Sequence, residues 1–108
     1  MGTGAAKAPV GVGQTLVLTV ASAGGLPGSG MSAVVLNITA TGVTKPGYLT
    51  AWADGASRPS TSNLNFVAGQ TVPNLVIVPV GAGKVDIYNG GSGTVQVIAD
   101  TSGYFKAN

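Results

Sequence analysis

Histidine, cysteine and glutamate are absent from these 108 residues, and the only acidic side chains are Asp54, Asp86 and Asp100. General bases, thiolate nucleophiles and soft metal ligands come mainly from the missing types, so most acid–base, covalent and transition-metal chemistry is excluded. The chain reads as noncatalytic, with no cofactor and no metal. Without cysteine there are no disulfides, and stability rests on packing; the compartment is not decided by this. Charge is scarce as well: 7% of residues are charged, against roughly 25% in an average soluble domain. The net charge of +2 comes from Lys7, Lys45, Arg58, Lys84 and Lys106 set against the three aspartates. These cations are scattered and give no basic footprint for phosphates, which argues against a nucleic-acid partner. No apolar run reaches the ~18 residues of a spanning helix, so no membrane insertion is expected. Met1-Gly2-Thr3-Gly4 lacks the charged and apolar regions of a signal peptide. A Met before a Gly/Ala-rich start reads as a piece excised from a longer chain.

What the chain does have is a regular alternation. Apolar residues recur at period two, and Gly, Pro, Asn and Asp punctuate them about every eight to twelve residues. This pattern predicts an all-β fold, an antiparallel β-sandwich of about seven strands, Ig-like or jelly-roll-like. The expected strands are Thr15 to Val20, Ala33 to Thr41, Tyr48 to Ala53, Asn63 to Val67, Asn74 to Val80, Lys84 to Tyr88 and Thr94 to Ala99. Residues 1–14 read as an irregular leader or a partial first strand, and 15–108 as one domain. Alternation places Leu16, Leu18 and Val20 on one face, and likewise Val34, Leu36, Ile38 and Ala40. Leu75-Val76-Ile77-Val78 is apolar on both faces, which suits a central or covered strand, whereas Pro79 suits an end or an edge. Gly81-Ala82-Gly83 and Asn89-Gly90-Gly91 have turn chemistry, so three consecutive strands are expected to form a meander.

Three blocks carry a resemblance. They are Ala33-Val34-Val35-Leu36-Asn37-Ile38-Thr39-Ala40-Thr41 with Gly47-Tyr48-Leu49-Thr50, then Asn63-Leu64-Asn65-Phe66 with Gly69-Gln70-Thr71-Val72-Pro73-Asn74-Leu75-Val76, and finally Ile98-Ala99-Asp100-Thr101-Ser102-Gly103-Tyr104-Phe105. Together they cover nearly the whole chain. It resembles the small β domains, often repeated or appended, of secreted and cell-surface proteins from high-GC Gram-positive (actinobacterial) bacteria. The resemblance implies an extracellular, secreted or cell-wall-associated accessory module, and it supplies no ligand. Such domains commonly carry a Leu-Asp-Thr-Arg segment ahead of the Gly-Thr-Gly that is here Gly2-Thr3-Gly4, and this chain lacks it.

Candidate binding residues follow from strand parity. Tyr48 and Trp52 are four residues apart, hence on one strand face and ~13 Å apart at ~3.3 Å per residue. At that spacing they suit alternate rings of a polysaccharide, with Thr50 between them and Asn63 or Asn65 beside them to bond hydroxyls. The competing reading makes Trp52 a core residue and Tyr48 its packed neighbour, because large aromatics usually dominate cores. Against it, Leu49, Ala51 and Ala53 on the opposite face look too small for a core. The remaining features are weaker. The asparagines equally suit backbone capping, and the three aspartates lack calcium-loop spacing, Asp100 suiting a C-terminal turn. A Lys84–Asn isopeptide would need a buried acid. Two functions result: binding of a carbohydrate or cell-surface polymer through an aromatic, Asn/Thr-rich face, or a structural spacer that self-associates or joins neighbouring domains through a strand edge or apolar face.

Overall fold

The computed structural model describes residues 6–21 and 26–106. Among the described residues eight strands form: β1 (Ala6–Val10), β2 (Thr15–Thr19), β3 (Met31–Thr41), β4 (Gly47–Ala53), β5 (Leu64–Phe66), β6 (Val72–Pro79), β7 (Lys84–Asn89) and β8 (Val95–Lys106). They make two antiparallel four-stranded sheets, sheet I in the order β1-β8-β3-β6 and sheet II in the order β2-β7-β4-β5. The fold is thus an all-β sandwich, with one strand more than the expected seven. The extra strand is β1, inside the stretch 1–14. Its Ala/Pro-rich sequence shows no alternation, and its extended form follows from pairing along β8, from Ala6 opposite Ala99 to Val10 opposite Val95.

Parity holds wherever alternation is clean. In β3, Val34, Leu36, Ile38 and Ala40 are buried between the sheets, and in β8 so are Val95, Val97 and Ala99. Val85 and Ile87 of β7, Leu49 and Ala51 of β4, and Leu64 and Phe66 of β5 meet them from sheet II in the same core. Each fully buried Val, Leu, Ile or Phe contributes about 1.5–3 kcal/mol relative to exposure. The face of Leu49, Ala51 and Ala53, expected to be too small, is therefore the core side of β4. Its alanine lies opposite the larger Ile87 in the neighbouring strand, and large next to small is how two sheets interdigitate.

The expected meander does not form. β6 belongs to sheet I, β7 to sheet II and β8 to sheet I, and every connection except β4 to β5 changes sheet. The turn after β6 does have hairpin geometry: Ala82 and Gly83 take φ of 51° and 76°, and Gly81 and Lys84 exchange both backbone hydrogen bonds, at 3.0 and 2.9 Å. The pairing lasts one rung. Val80 N–H already donates to Ser32 O across sheet I, at 3.1 Å, and Pro79 has no N–H with which to continue towards β7. Asp100 was expected near a C-terminal turn; it lies instead within β8, opposite Asn37, because β8 continues past a bulge between Val35 and Leu36.

β6 is an edge strand, as Pro79 indicates, and not a central one. The Val80–Ser32 bond fixes which backbone groups face β3, so Pro73, Leu75, Ile77 and Pro79 turn theirs to the unpaired side. Two of those four have no N–H, which blunts the edge against a further strand. At the end of the sandwich where β7 leaves for β8, buried Asn89 ties the sheets together. Its Nδ2 donates to Val10 O and to Gly93 O, both at 2.9 Å, and its Oδ1 accepts from Gly91 N–H at 2.8 Å.

Candidate functional site

The outer face of sheet II is built from the residues that alternate with the core. β4 presents Tyr48, Thr50 and Trp52; β7 presents Lys84, Asp86 and Tyr88; β2 presents Thr15, Val17 and Thr19. Register sets Thr50 opposite Tyr88 and Trp52 opposite Asp86, and Asn65 of β5 opposite Tyr48. The chain between β4 and β5 does not stay at the rim. It folds back across this face as a strap.

Four bonds hold the strap. Trp52 Nε1–H donates to Ala56 O at 3.0 Å, and Thr50 Oγ1–H donates to Thr61 O at 2.7 Å. Asn63 Oδ1 accepts from Ala51 N–H at 2.8 Å, and Asn63 N–H donates to Leu49 O at 2.8 Å. The last pair has a simple cause: β5 is paired with β4 only as far as Leu49, so the next edge amide of β4, on Ala51, would otherwise lack an acceptor. Arg58, at the crest of the strap, sets its guanidinium carbon 3.8 Å from the centroid of the Tyr88 ring. Stacking of this kind contributes about 0.5–1 kcal/mol at an exposed site.

Each residue expected to bind a ligand can now be placed. Tyr48 and Trp52 share the outer face, and Trp52 is half-buried and outside the core cluster. Tyr48 is 37% exposed. Its ring lies on the backbone of Gly90, where an added Cβ would stand 2.1 Å from Tyr48 Cζ, so only glycine admits it. Asn65 is exposed beside it. Thr50 is not available to a ligand: it is 1% exposed, covered by the strap between the two aromatics. Asn63 likewise engages its amide oxygen within the protein. The two rings therefore flank the strap and do not form one unbroken platform.

Two residues of the face were not singled out from sequence. Tyr88 packs against Tyr48, centroids 6.5 Å apart and planes at 56°. Its outward direction was readable from the inward Val85 and Ile87, but its nearness to Tyr48 depends on register. Arg58 belongs to a loop without periodicity, and nothing in sequence placed it over a ring.

The far end of the face is acidic. Burial, then a hydrogen bond and the charge of Asp54, push the Asp86 carboxyl from its ordinary 3.8 up to about 6, against the opposing pull of Lys84. Asp86 Oδ1 is shielded from water and has no hydrogen-bond partner among the described residues, which also disfavours the ionised form. A separate shallow cavity, lined by Gly28, Ser29, Met31 and Val80 near the β6–β7 turn, offers mainly backbone and apolar surface.

Searches against protein-family models, curated proteins and solved structures found no match to this chain.

Proposed function

We propose that the chain is a noncatalytic extracellular module that binds a carbohydrate or a cell-surface polymer through the outer face of sheet II. One observation carries this reading: the only tryptophan and two of the three tyrosines stand on a single face outside the core, while Phe66 alone of the aromatic residues is buried within it. Aromatic rings give cores their largest buried areas. A chain that fills its core with Val, Leu and Ile and keeps its rings outside has them free for another surface. Sugar rings present flat C–H faces to such groups, and the tyrosine at one side of the strap and the tryptophan at the other suit successive contacts along an extended polymer. Asn65 supplies an amide for hydroxyls. Thr50 and Asn63 hold the strap in place between the contacts.

The test is a polysaccharide and glycan-array screen of the wild type against Tyr48→Ala and Trp52→Ala. Each substitution is expected to weaken binding about tenfold, the equivalent of ~1.4 kcal/mol. Folded wild type that binds no polysaccharide sinks the reading.

A second reading, a structural spacer or assembly unit, is favoured by the opposite face of the molecule. On the outer side of sheet I, Leu75 and Ile77 are 61% and 62% exposed, with Phe105 at 50%. Exposed apolar groups gathered on one face mark contact surfaces in soluble proteins.

A further inference from the structure

We propose that the Tyr48 end of the sheet II face takes an anionic polysaccharide, one whose rings carry carboxylates, with Arg58 as the group that reads the charge. The proposal rests on the glycan reading and names the ligand class within it.

The placement of Arg58 is the starting point. Its guanidinium is held over Tyr88 by stacking at 3.8 Å, and no carboxylate bonds it among the described residues. A guanidinium lying on a ring keeps its N–H donors at its rim, in the plane that accepts a carboxylate through two parallel bonds. Tyr88 is in turn packed on Tyr48. The cation and the more exposed tyrosine thus pack against one shared ring, Tyr88 of β7.

Charge is also distributed along the face. Lys45 lies in the loop that leads into Tyr48, its stem within 3.5 Å of the place where a Gly93 Cβ would stand, in the same turn that carries Gly90 beneath the Tyr48 ring. Both acids lie at the other end, with Lys84 beside them offsetting part of their charge: Asp86 is opposite Trp52, and Asp54 hydrogen-bonds to it. An acidic polymer therefore sets its carboxylates at the Tyr48–Arg58 end, away from the acids beside Trp52. A neutral polymer feels neither effect. The ring of an acidic sugar covers Tyr48, its carboxylate meets Arg58, and Asn65, opposite Tyr48 in register, faces its hydroxyls.

Binding of the whole chain to polygalacturonate and hyaluronan, to neutral xylan and dextran, and to dextran sulfate as a charge-only control tests this. The uronate polymers are expected to bind roughly tenfold more tightly than the neutral ones. Arg58→Gln is expected to reduce them to the neutral level while lowering the melting temperature by only a few degrees, the loss of its stacking on Tyr88. Arg58→Lys, which keeps the charge without the fork, is expected to recover only part of the difference. Neutral and uronate polymers bound equally well, and indifferently to Arg58→Gln, would overturn the anion proposal and leave the glycan reading standing. Dextran sulfate bound as tightly as polygalacturonate would overturn it too, by reducing the attraction to charge alone. Binding of no polymer overturns both.

Discussion

Asp86 and Asp54 set two acids side by side in a chain that has only three. The consequence is a dependence of stability on pH. The folded Asp86 carboxyl titrates at about 6 and its ordinary value is 3.8. Between roughly pH 4 and pH 6 the folded chain holds a proton that the unfolded chain has released, so stability falls as pH rises through that window and levels off above it. Asp86→Asn cannot ionise. It is expected to flatten this part of the curve and to raise stability at pH 7 by on the order of 1 kcal/mol, the shift being discounted for the partial exposure of the site. Urea unfolding from pH 4 to pH 8 checks it, and an unchanged slope for the variant would remove Asp86 as the cause. Sequence told part of this story. Val85 and Ile87 point inward, so Asp86 must point outward, but Asp54 follows the end of β4 and reaches Asp86 only because β4 and β7 are neighbours.

At the scale of elements, turns proved legible in shape and opaque in destination. Gly81-Ala82-Gly83 announces a tight reversal and makes one, but its residues carry no information about which sheet the outgoing strand joins. That depends on Val80 having bonded across to Ser32 and on β7 fitting between β2 and β4. The same turn holds Ala82 at φ 51°, a left-handed conformation for a residue with a Cβ. Such a conformation costs about 1–2 kcal/mol, part of which glycine loses again to the freedom it adds to the unfolded chain. Ala82→Gly is expected to stabilise the protein by about 0.5–1 kcal/mol net, read as a higher melting temperature. A lower one would show that the Ala82 side chain has a packing role of its own. The strap is the element that sequence concealed most fully. Gly55, Pro59 and the serines identify a loop, and Tyr48 with Trp52 identify a face. That the one lies across the other is settled by Thr50 and Asn63, whose hydrogen bonds no periodicity reveals.

For the whole molecule, the alternation in β3 and β8 was enough to give a sandwich, since eleven- and twelve-residue strands with one apolar face each must cover that face. What covers the outer side of sheet I is a separate question. The prolines of β6 disfavour joining edge to edge, so association of two copies, on the assembly reading, goes face to face. The molecule measures 41 × 28 × 17 Å along its principal axes. Its broad faces are thus large enough for the ~800 Å² per partner that stable pairs bury. Light scattering across concentration is expected to show a dimer that Leu75→Lys returns to monomer without loss of fold, Leu75 being exposed. Monomeric wild type at every concentration would retire the assembly reading.

The pairing of β1 with β8 bears on how such a module carries load. Because the two strands run antiparallel, Ala6 lies beside Ala99, while β8 runs on past it to Lys106 and is held there by β3. A pull on the segment before Ala6, directed across the sheet, therefore opens the β1 ladder from its end, and each rung, about 1 kcal/mol net, meets the force alone. Strands pulled in shear would share it. Under a load across the sheet β1 would peel first, while β8, held on its other side by β3, stays in place.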